Sequence, residues 1–128
     1  MTQQRKVFEY AVLRVIPRLE RGEAMNVGVV LYCRALDFLG CRTHLDEPRL
    51  LALDQNLDLD GVRASLKAVN ALCCGGEQAG QAAEEPQGSR FRWLTAPRST
   101  VVQPGPVHAG LTESPEDELN RLLALLVR

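Results

Sequence analysis

Residues 10–33 read YAVLRVIPRLERGEAMNVGVVLYC, two apolar runs flanking a charged insert, Pro17–Asn26. Over Phe8–Ile16, Ala11, Leu13 and Val15 share one face, and Phe8, Tyr10, Val12, Arg14 and Ile16 share the other. Both faces are largely apolar, so the strand is central or well covered. Pro17 ends it, because proline cannot donate to a ladder. Val27–Cys33, VGVVLYC, is a second apolar run, and Gly28 inside it marks a bulge or a close backbone approach. The stretch therefore predicts two paired strands. The loop between them has about ten residues, against the two to five usual in hairpins.

Leu36–Leu45 supplies a third strand after a turn near Arg34–Asp37. Asp46-Glu47-Pro48 reads as a helix start, with Asp46 as N-cap and Leu50, Leu51 and Leu53 packing inward. A longer helix begins near Asp58 or Asp60. Leu59, Val62, Leu66, Val69, Leu72 and Cys73 recur at helical spacing, and Gly75–Gly76 stops it. Residues 77–89 have no large apolar side chain and predict a flexible surface loop. Arg90–Leu94 offers Phe91 and Trp93 or Leu94 to a core. Residues 96–112 carry Pro97, Pro104 and Pro106 and predict an extended, irregular segment, with Thr100–Gln103 as an edge strand. Ser114, Pro115 and the acidic Glu116, Asp117 and Glu118 start the clearest helix. Leu119, Leu122, Leu123, Leu126 and Val127 form its apolar stripe. Strands first and helices after predict an α+β fold: an antiparallel sheet of about three to four strands, with helices on one face, the C-terminal amphipathic helix among them.

The 128 residues make one domain, 1–128. The formal net charge is -1, so the chain has no general attraction to nucleic acid or acidic lipid, and duplex DNA is not an expected partner. Its two ends are mildly basic and its middle acidic. No apolar run approaches the ~20 residues of a membrane helix, and MTQQRKVFEY lacks the apolar core of a signal peptide. A cytoplasmic protein without membrane contact is expected. Cys33, Cys41, Cys73 and Cys74 form no CxxC pair, and His44 and His108 lie far from them in sequence. Neither a metal nor another cofactor is expected, and the thiols should stay reduced.

Two segments can carry chemistry. In the insert PRLERGEAMN, Arg18 and Arg21 suit an anion, while Glu23 and Asn26 would orient the loop or a polar ligand. The same residues equally describe a solvated hairpin tip with Asn26 as a turn cap. Arg14 interrupts an apolar face and needs a partner there, for which Glu23 across the hairpin is the candidate. In APRSTVVQPGPVHAG, residues 96–110, Arg98, Ser99 and Thr100 suit phosphate or carboxylate, and His108 could act as a base. Arg18, Arg21 and Arg98 would together form one anion site. A proline-stiffened surface segment explains the same residues. There is no P-loop, Rossmann fingerprint or nucleophile elbow, so nothing points to catalysis beyond Glu23, Asn26 and His108.

Tyr10–Pro17, Arg21-Gly22-Glu23 and Asn26–Leu31 are similar to the signature of a bacterial family, domain of unknown function 3037. Phe91, Leu94, Pro97–Thr100, Pro106-Val107-His108 and Leu119–Val127 extend the resemblance over nearly the whole chain. The resemblance carries over Arg14, Pro17, Gly22, Glu23, Asn26 and Gly28 as motif residues without assigning them roles. It implies a small stand-alone protein, often encoded beside a HipA-like kinase. The leading expectation is thus a non-enzymatic binding or adaptor module that works on a cytoplasmic protein such as that kinase. The alternative is a small anion-, nucleotide- or nucleic-acid-binding protein using loops 17–26 and 96–110.

Overall fold

A computed structural model describes residues 4–75 and 85–128. The central element is β1, Lys6–Val15, which pairs antiparallel with β2, Met25–Cys33; β2 pairs in turn with β3, Phe38–Thr43. The connection from β1 to β2 closes on a turn in which Arg21 N and Gly22 N both donate to Arg18 O, at 3.1 and 3.2 Å. Gly22 sits at φ 70°, a conformation that costs glycine nothing. The ladder runs on past the expected strand start: Arg14 pairs with Asn26 and Val15 with Met25. The expected bulge is present, because Leu13 faces Gly28 while Arg14 faces Asn26, leaving Val27 as the extra residue. Gly28 is also a close approach: a Cβ there would lie 2.9 Å from Arg42 O.

The other edge of β1 is shared. β4, Val102–Pro104, pairs with Leu13–Val15, and β5, His108–Thr112, pairs with Lys6–Tyr10. Between these ladders Ala11 and Val12 face Gly105–Val107, so the returning chain is one edge strand interrupted by a one-residue bulge. The irregular segment expected over 96–112 is therefore strand for half its length. The prolines are tolerated because the strand is at the edge.

Among the described residues four helices cover the sheet. Asp46 caps α1, Glu47–Leu53, accepting from Arg49 N at 3.2 Å; Asp58 caps α2, Leu59–Cys74, accepting from Gly61 N at 3.0 Å. Only Leu50 of α1 is buried; Leu51 faces solvent. Gly75 ends α2 at φ 67°, and Gly76 lies outside the described residues. So does the expected surface loop up to residue 84, while residues 87–89 open α3, Gln87–Leu94. Phe91 and Leu94 of α3 are buried and Trp93 is 59% exposed. Arg90 Nη1 ties α3 to the end of α2 by donating to Leu72 O and Cys73 O at 2.8 and 3.1 Å, a cation on the negative end of a helix. Ser114 caps α4, Pro115–Leu126, with Pro115 in the first position.

The α+β class and the antiparallel sheet are as expected, but the helices divide between the two faces. Ala11, Leu13, Val15, Leu39 and Cys41 pack against α1, α2 and α3. Phe8, Val29, Leu31 and Cys33 pack against Leu119, Leu122, Leu123 and Val127 around α4. Strands apolar on both faces need cover on both, and this is the physical content of the near-continuous apolar runs in β1 and β2. Among the described residues no helix is long and apolar enough to cross a membrane.

Candidate functional site

The α4 face of the sheet is only half covered. α4 lies over β2 and β3. It is fixed at one end by Arg42 Nη2, which donates to Glu116 Oε1 at 3.1 Å, and at the other by Asn26 Nδ2, which donates to Leu126 O at 3.0 Å. Strand alternation places Tyr10, Val12 and Arg14 of β1 on this same face, and the ladders add Gln103 opposite Arg14 and His108 opposite Tyr10. On β1, Phe8 is buried with the α4 residues and Tyr10 packs partly against them, whereas Val12 and Arg14 are half-buried and His108 is exposed. Along this half of the face run an aromatic pair, Tyr10 with His108, at 5.4 Å between ring centroids, then Val12, then the polar row Gln103–Arg14–Asn26.

Arg14 is the unusual member. Its Nε is buried with no hydrogen-bond partner among the described residues. Its guanidinium lies on Gly105, where a Cβ would stand 2.3 Å from Nη2, so a larger residue there would displace the guanidinium. The expected pairing with Glu23 does not occur. Glu23 accepts from Arg21 Nε at 2.6 Å within the loop, and this bond holds its carboxyl below the usual carboxylate range. A long loop that makes its own turn lets neighbouring charges pair locally. Arg18 does the same with Glu20, at 2.8 Å.

The remaining candidates are scattered. Arg98 stacks on Trp93, 4.8 Å from the ring centroid, and donates to the carbonyls of Ala96 and Trp93. Ser99 is exposed, and Thr100 Oγ1 donates to Val102 O at 2.7 Å. Loop 96–110 is joined to the chain just before loop 17–26 by Ile16 N donating to Val101 O at 2.7 Å, and Pro17 and Thr100 share a cleft there. The cleft beside that contact, about 290 Å³, is lined by Pro17, Thr100, Asp54 and Asp58 and by none of Arg18, Arg21 and Arg98. The structure thus brings Arg14, Asn26 and His108 onto one face and leaves the three loop arginines engaged elsewhere. Glu23 lies in the loop two residues before β2 begins and pairs there with Arg21. Alternation alone puts Tyr10 on the face of Arg14, whereas Gln103 and the pairing of Tyr10 with His108 come only from the strand register. Among the described residues no group of three or more His, Cys, Asp or Glu is placed to hold a metal.

A family model described as protein of unknown function (DUF3037) matches residues 10–127. The chain belongs to the DUF3037 family. The match spans every element named above except the first residues of β1. No curated protein and no solved structure matches the chain.

Proposed function

We propose that this DUF3037 protein is a non-enzymatic adaptor that docks a partner protein on the half of the sheet face beside α4. The observation that carries the reading is Arg14: a cation whose buried Nε has no partner among the described residues, in a polar row with Gln103 and Asn26 beside Val12, Tyr10 and His108. A cation that a partner covers must be paired as it is desolvated, so a partner docked here should set a carboxylate against the half-buried Arg14 side chain. Two strands side by side are roughly 10 Å wide, which is about the diameter of a helix with its side chains. The occupant this surface suits is therefore an amphipathic helix lying beside α4, with an acidic residue set against Arg14 and an apolar edge on Val12 and Tyr10. Tyr and Arg are the residues that dominate binding energy at interfaces. The anion reading built on loops 17–26 and 96–110 draws no support from their arginines, which are already engaged with Glu20, Glu23 and Trp93.

The family resemblance names a HipA-like kinase as the cytoplasmic partner to test first. The two proteins are co-expressed and run on a size-exclusion column. Wild type should co-elute with the kinase, and Arg14→Glu should elute alone. Independent elution of wild type at micromolar concentration counts against the kinase. A complex that survives Arg14→Glu counts against the face.

A further inference from the structure

On the opposite side of the sheet, the start of β1 and the end of β2 form an open cleft of about 660 Å³. Arg5, Lys6 and Arg34 line it, over Val7, Tyr32 and Ala35. Its one carboxylate, Glu9, is already taken: Arg92 Nη1 and Nη2 donate to its two oxygens at 2.8 and 2.9 Å. Arg5 and Arg34 make no ion pair among the described residues, and Lys6 Nζ reaches only Gln4 Oε1, at 3.1 Å. Tyr32 is held by its ring against Phe91, 5.5 Å between centroids. Gly88 sits beside its hydroxyl, where a Cβ would stand 3.0 Å from the oxygen. Three cations in one cleft without an acidic partner among the described residues are not the background of a chain whose net charge is -1.

We propose that this cleft binds the phosphate group of a small phosphate ester of about nucleotide size. Two guanidinium forks and an ammonium match phosphoryl oxygens in charge and in hydrogen-bond geometry. Val7, Ala35 and the Tyr32 ring form an apolar floor for the organic part. The volume lies within the roughly 300–1,000 Å³ of small-molecule sites, and three cations gathered in one cleft suit a compact ligand better than long nucleic acid. The site is independent of the docking face and draws on none of its residues.

The test is equilibrium dialysis of the full chain with ATP, AMP and inorganic pyrophosphate at low and high salt. ATP and AMP should bind saturably and more weakly at high salt, and each more tightly than pyrophosphate. Arg34→Gln and Lys6→Gln, both surface changes, should each weaken binding about tenfold or more, the loss of one charge-assisted contact. Arg63→Gln, an exposed residue on α2, and Arg14→Met, on the other face, should bind as wild type does. No saturable binding, or binding unchanged in both Arg34→Gln and Lys6→Gln, overturns the site. Pyrophosphate bound as tightly as the nucleotides overturns the apolar floor.

Discussion

Replacing Arg14 with methionine should make the protein more stable. The guanidinium Nε is buried and finds no acceptor among the described residues, and an unsatisfied donor of this kind costs about 1–3 kcal/mol. Arg14 is only half-buried, so the low end applies. The stem of the side chain covers the sheet, and methionine keeps most of that packing while removing the polar head. The expected gain is about 1 kcal/mol, or about 3–5 °C in Tm for a domain of this size. Urea and thermal melts of wild type and Arg14→Met measure it, with the slope of the urea transition unchanged if the transition stays two-state. A residue that costs stability yet sits on an uncovered face is the signature expected of a binding group. A loss of about 3 kcal/mol or more would refute the reasoning. It would mean that Arg14 belongs to a structural ion pair, since breaking a buried pair costs that much.

Three further outcomes follow from the fold. Gly28→Ala should destabilise by about 1–3 kcal/mol, the usual cost of overpacking, because its Cβ would press on the backbone of β3 at Arg42 O; melts check it. Thiol titration should find one fast-reacting cysteine in the native protein, Cys74, and four in denaturant, because Cys33, Cys41 and Cys73 are buried. Contact with Cys41 and burial also push the Cys73 thiol far above its usual range, so it is protonated and unreactive at neutral pH. Glu23→Gln should melt as wild type does at neutral pH. The depressed Glu23 carboxyl gives stability that is present above its unfolded pKa and lost as pH falls through the folded one, but the pair is exposed to solvent, which screens it.

The helix boundaries were legible wherever the chemistry is local. Asp46, Asp58 and Ser114 cap the helices they announce, and the apolar stripes of α2 and α4 are the buried ones. α3 was not legible, because Gln87-Gly88-Ser89 is poor helix sequence and only Phe91 and Leu94 anchor it. β5 was hidden behind Pro104 and Pro106, whose meaning depends on β1 supplying the edge. The division of helices between two faces follows from the double apolarity of β1 and β2, but which helix takes which face is a tertiary outcome. The same limit applies to the sites. Arg14 stood out as a charge in an apolar run, whereas its neighbours Gln103 and His108 are set by a ladder some ninety residues away in sequence. Arg5, Lys6 and Arg34 meet only because the start of β1 lies beside the end of β2.

The central claim is that the sheet face beside α4 is occupied by a partner protein in the cell. Photo-crosslinking tests it directly, with a benzophenone amino acid placed at Val12 or Gln103 on that face and at Leu125 on the exposed side of α4 as control. The account predicts a covalent adduct to the same protein from Val12 and Gln103, abolished by adding Arg14→Glu, and none from Leu125. No adduct from either face position, or an equal one from Leu125 that ignores Arg14→Glu, would contradict it.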